Sequence, residues 1–108
     1  MVKLKGKLRD DFYHVDGIYV RENTKINGQF AWIQDNLKNA IWSSNGKWNI
    51  GYKAELGGAR SIFCSTTSAP GPKHPKIVWT YFLDEEWVQT KDILVQCKYL
   101  PNKYAQCT

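Results

Sequence analysis

The sequence predicts an all-β fold: a single antiparallel domain of about seven or eight short strands, arranged as a small sandwich, a barrel or a twisted meander. Three observations carry this. Tight-turn pairs recur at Asp16-Gly17, Asn27-Gly28 and Asn45-Gly46, residue types that tolerate the positive φ of a hairpin turn. The segments between them are short, rich in aromatic and β-branched residues, and alternate in polarity. No stretch carries a helical stripe of useful length; Asp35 to Asn39 is one turn at most.

Val2 to Leu8 alternates apolar residues with lysine, the pattern of an edge strand with a charged outer face. Gly17 to Arg21 follows the first turn. Gln29 to Gln34 carries Phe30, Ala31, Trp32 and Ile33. Ala40 to Ser43 runs into Asn45-Gly46, and Lys47 to Lys53 answers it. Trp48, Ile50 and Tyr52 then share one face, with Lys47, Asn49 and Lys53 on the other, which makes this the clearest hairpin of the chain.

Gly57-Gly58 breaks the chain before the strand Arg60 to Thr66. The loop Ala69-Pro70-Gly71-Pro72, with Pro75, precedes Ile77 to Leu83. That segment is apolar on both faces and reads as a central strand buried on both sides. The polar turn Asp84-Glu85-Glu86 leads to a last segment opened by Trp87-Val88, in which Ile93, Val95 and Cys97 alternate inward. The domain is therefore expected to span residues 1–97. Residues 98–108, with Lys98, Pro101, Lys103 and no periodicity, read as a tail.

A chain of 108 residues with 43% hydrophobic content has the size and composition of one folded domain. No apolar run is long enough to span a membrane. Its N-terminus shows no uninterrupted apolar h-region, so no signal peptide is visible. The readings left are an intracellular protein or a mature domain behind an added Met1. The net charge of +5, with an excess at Lys3, Lys5, Lys7 and Arg9, favours anionic partners such as acidic glycans, nucleic acids or acidic proteins. A solvated surface is the simpler account.

Chemistry is sparsely signposted. The three cysteines, Cys64, Cys97 and Cys107, are an odd count for a disulfide framework. One bridge, Cys97–Cys107 or Cys64–Cys97, with one free thiol is one reading; buried free thiols, Cys64 foremost, is the simplest. Neither His14 nor His74 has metal-ligand spacing to a cysteine, so no metal or cofactor is expected. There is no Gly-x-Ser-x-Gly elbow and no glycine-rich phosphate loop. The acids at 84–86 lack calcium-ligand spacing. The sequence therefore reads as a non-enzyme.

The five tryptophans are Trp32, Trp42, Trp48, Trp79 and Trp87. Trp48 and Trp79 have apolar neighbours at i±2 and read as core, and Trp32 joins them. Trp42 abuts the polar run Ser43-Ser44-Asn45-Gly46, and Trp87 follows three acids at a strand entrance. Core packing is the bland account of both. The functional account makes them exposed rings for stacking. On it, Trp42, Ser44, Asn45, Lys47 and Trp87 form a ligand-binding set for a carbohydrate or acidic glycan, and the chain is a non-catalytic binding module.

The second reading is a protein-interaction or scaffold module with all aromatics in the core, its partner adding to the Val2–Leu8 edge. Third is single-stranded nucleic-acid binding through Lys3, Lys5, Lys7, Arg9, Lys47 and Lys53, or a small enzyme of unrecognised type. The charge and the edge strand are compatible with a monomer or a dimer.

The spacing of Gly17-Ile18-Tyr19, Asn27-Gly28, Ile41-Trp42, Gly46-Lys47-Trp48-Asn49-Ile50-Gly51, Ser65 to Pro75, Trp79 and Trp87 resembles a tryptophan-rich all-β repeat module. Such modules, of unassigned function, recur in large multidomain proteins of protists and marine invertebrates. The resemblance runs from Gly17 to Cys97 and rests on core aromatics and turn glycines. It implies a β fold and supplies no catalytic residues.

Overall fold

The computed structural model describes residues 2–6, 15–66, 69–74, 77–83, 85–91 and 93–97. It is all-β. Among the described residues, nine strands form one antiparallel sheet: β1 (Val2–Gly6), β2 (Gly17–Arg21), β3 (Trp32–Gln34), β4 (Asn39–Ser44), β5 (Lys47–Tyr52), β6 (Phe63–Ser65), β7 (Trp79–Leu83), β8 (Glu86–Thr90) and β9 (Ile93–Cys97). A short 3-10 turn, Lys53–Glu55, follows β5. The order across the sheet is β8-β7-β6-β5-β4-β3-β2-β1-β9, and the sheet curls until it is nearly closed into a barrel.

The closure has a topological cause. Every neighbouring pair from β8 round to β9 is antiparallel, so after an even number of reversals β8 and β9 point the same way. Only residues 91–92 separate them. The two are therefore consecutive halves of one bent strand, the first paired to β7 and the second to β1. A covalent link between the two ends of a sheet compels it to curl. The inward alternation slips at the bend: Val88 and Thr90 share the inner side of β8, and Ile93 and Val95 that of β9. One extra residue in a strand has this effect and bends it.

The register defines the interior. Val2 and Leu4 face Tyr19, Val95 and their neighbours; Trp32 stands opposite Ile41, Ile41 opposite Ile50, Ile50 opposite Phe63, and Phe63 opposite Tyr81. These residues, with Val15, Trp48, Trp79 and Ile93, form the main buried cluster, against which the partly buried Tyr81 packs. Trp32 and Trp48 meet at 6.0 Å between ring centroids, and the Trp48 indole donates to the Ala69 carbonyl at 2.7 Å, drawing the proline loop over one end of the barrel. Two polar contacts lie in the interior: Tyr19 donates to the Val15 carbonyl at 2.6 Å, and the Asn39 amide donates to Gln34 Oε1 at 2.8 Å.

Two expectations are corrected here. The N-terminal strand is no edge: β1 is paired on one side to β2 and on the other to β9, so the strand addition expected at Val2–Leu8 has no free ladder at Val2–Gly6, and residues 7–8 lie outside the described residues. Lys3, between inward Val2 and Leu4, points out of a barrel wall, and an outward lysine does not distinguish a wall strand from an edge. Nor is the Ile77–Leu83 segment buried on both sides. Trp79 is 2% exposed, whereas Val78 and Phe82, on the outer face, are 36% and 53% exposed.

Candidate functional site

Trp42 is on the outer face of β4, as the alternation with inward Ile41 requires, yet it is 0% exposed. The chain after β5 folds back over the sheet and covers it. The indole packs with Ala31, Ile33 and Ala40, against Ile26 and Leu56, in a second small core outside the barrel. Its Nε1 donates to the Gly58 carbonyl at 3.0 Å. The Asn27 amide, in the left-handed conformation at φ 55°, ties this cover down by donating to Ser43 O at 2.8 Å and Gly57 O at 3.0 Å. A ring buried on all sides and already hydrogen-bonded offers no stacking face, so Trp42 leaves the expected ligand set.

Ser44, Asn45 and Lys47 do cluster, at the β4–β5 hairpin tip. Asn45 and Gly46 take φ of 54° and 74°, and Ser44 stands opposite Lys47. Asn45 and Lys47 are exposed and Ser44 is half-buried. Trp87 lies on β8, three strands from β5, roughly 14 Å away at the ~4.8 Å strand spacing. The tip and Trp87 therefore do not form one site. Lys47 acts on Cys64, a half-buried free thiol on the outer side of β6. Burial pushes that thiol's pKa up, and the Lys47 ammonium only partly opposes it.

Trp87 is exposed, at 53%, and its partner is Phe82, also 53% exposed. The two are directly opposed across β7 and β8, their ring centroids 5.5 Å apart and the planes tilted by 56°. The next outward pair along the same ladder is Thr80 and Gln89. Thr80 is buried and donates to the Cys64 carbonyl at 2.7 Å; Gln89 is exposed. Glu85 and Glu86 flank the rings at the exposed turn. Sequence reasoning missed Phe82. The pairing of Leu83 with Glu86 places Phe82 opposite Trp87 one step along the ladder, and Glu85 beside it takes φ 66°.

Trp32 and Trp48 belong to the core. Trp32 and Trp48 are each 3% exposed. Phe30, at the barrel end, carries the Arg21 guanidinium 4.4 Å and the Lys25 ammonium 5.1 Å from its ring centroid. A cavity of about 360 Å³ lies beside it, walled by Phe30, Trp32, Trp48 and Pro70. Among the described residues no cluster of His, Cys, Asp and Glu could hold a metal ion, and no helix is long and apolar enough to cross a membrane.

Neither family models, curated proteins nor solved structures yield a match to this chain.

Proposed function

We propose that this chain is a non-catalytic binding module that stacks a sugar ring on the Phe82–Trp87 face. The observation that carries the reading is the opposition of two half-exposed aromatic rings on one outer surface of the barrel. Fully burying a large apolar side chain is worth about 1.5–3 kcal/mol, so a chain with a formed core that leaves two such rings together in water forgoes stability. Contiguous apolar surface of this kind marks an interaction site. An indole offers a flat apolar face to the C–H groups of a pyranose, and the neighbouring Gln89 amide supplies both a donor and an acceptor for hydroxyls.

The charges around the rings refine the ligand. Glu85 and Glu86 stand at the turn beside them, where carboxylates disfavour a polyanion. The surface fits a neutral sugar better than an acidic one. Calorimetric titration with neutral oligosaccharides and with heparin tests this. The reading expects a neutral sugar to bind, and Trp87→Ala and Phe82→Ala each to abolish the heat while the fold is retained. Heparin binding that neither substitution weakens, with no neutral sugar bound, contradicts it. The second reading, a protein-interaction module, draws on the other edge of β8, which no described strand pairs. A strand-forming peptide that binds independently of Phe82 supports it.

A further inference from the structure

The bend between β8 and β9 opens a slot in the barrel wall. Up to Thr90 the strand is paired to β7; beyond it, β9 pairs to β1 instead, and no described strand pairs with residues 77–78 on that side. The fork encloses a cavity of about 770 Å³, within the ~300–1,000 Å³ of small-molecule sites. Its walls change character with depth. Ile77, Trp79, Ile93 and Val95, at the inner end, belong to or pack against the main buried cluster. Leu94, 48% exposed, stands on the outer side with the exposed lysines Lys73 and Lys91.

A second observation singles out the same place. The Trp79 indole N–H is buried without a hydrogen-bond acceptor, the one such side-chain atom among the described residues. An unsatisfied buried donor is destabilising, and two of the other buried indoles, Trp42 and Trp48, have acceptors. An apolar slot that ends in two cations is complementary to an apolar body carrying an anionic group.

We propose that the fork between β7 and β9 binds a small apolar carboxylate, its hydrocarbon among Ile77, Ile93 and Val95, beside the Trp79 indole, and its carboxylate at the lysine rim. Gln89 borders both this cavity and the Phe82–Trp87 face, but neither of those rings lines the cavity.

Octanoate is the probe, with octylammonium as the charge control, and the readout is the indole N–H resonance of Trp79 in a proton–nitrogen correlation spectrum. Octanoate is expected to shift that resonance saturably, and octylammonium to leave it in place. Leu94→Glu, at an exposed position, sets a carboxylate at the rim of the slot and should weaken octanoate at least about tenfold. Lys91→Gln should weaken it about two- to five-fold. Trp87→Ala should change nothing, so the result is independent of the sugar reading. A Trp79 resonance that octanoate does not move, equal binding of octylammonium, or unchanged affinity in a folded Leu94→Glu protein overturns the proposal.

Discussion

The indole of Trp42 lies directly over Gly51 on the neighbouring strand: a Cβ built on Gly51 would sit 3.0 Å from the indole's Cη2. The ring is thus held between the barrel wall and the chain that folds back from β5. Gly51 is a glycine because of this close approach.

Gly51→Ala is accordingly expected to destabilise the fold. The added methyl would also meet Ser61 Cα at 3.2 Å and Ile62 N at 3.4 Å, both backbone atoms that cannot swing aside. Overpacking of this kind costs about 1–3 kcal/mol. Urea unfolding should show a lowered midpoint with an unchanged slope; an unchanged midpoint would mean that the cover over Trp42 gives way freely.

Trp42→Phe removes the donor to the Gly58 carbonyl. An acceptor left unpaired in a half-buried setting, with a smaller ring above Gly51, should cost about 1–3 kcal/mol. Sugar binding should survive in full. Trp87→Ala is its mirror image. It loses the ring contact with Phe82, worth about 0.5–1.5 kcal/mol, and should keep most of the stability while losing the ligand.

Alkaline pH should unfold the protein through Tyr19. Burial, and secondarily the charges of Asp16 and Asp35, raise the phenol's pKa well above its ordinary value near 10. A group whose folded pKa is raised gives stability that is complete below the unfolded pKa. It is lost as pH rises beyond about 10, at up to about 1.4 kcal/mol per pH unit. Tyr19→Phe should flatten that alkaline slope. It should also cost about 1 kcal/mol at neutral pH, since the Val15 carbonyl loses its donor. An alkaline slope that persists in Tyr19→Phe would assign it to another group.

Cys64 should alkylate slowly at neutral pH, because burial holds down its thiolate fraction. Lys47 opposes that effect, so Lys47→Glu should slow the reaction further, by about two- to five-fold. Iodoacetamide labelling read peptide by peptide separates Cys64 from the other two cysteines. Faster labelling in Lys47→Glu would contradict the assigned interaction.

The parts of the fold legible in the sequence are those set by local chemistry. Asn45-Gly46 announced the β4–β5 hairpin because a two-residue turn demands positive φ there. The inward set Trp48 and Ile50 followed from alternation alone. Trp48 and Trp79 read correctly as core. What alternation could not show was pairing between distant segments. The last strand read as one segment because it is one, bent; nothing local shows that its second half pairs with β1, which turns a presumed edge into a wall strand.

The site was half legible for the same reason. Trp87 is as open as its acidic surroundings implied. Trp42 faces outward as expected, but a return of the chain covers it, and a pattern confined to one strand carries no sign of that cover. Phe82 was hidden by the opposite error: an apolar residue on the outer face of an apolar strand looks buried until its partner across the turn is identified.

The central claim is that Trp87, with Phe82, receives the ligand and Trp42 does not. The five indoles give five N–H resonances, and a titration with a bound neutral oligosaccharide followed on those resonances tests the claim most directly. The account predicts that the Trp87 resonance moves and saturates while that of Trp42, locked to the Gly58 carbonyl, stays in place. A Trp42 resonance that moves while Trp87 does not would contradict it.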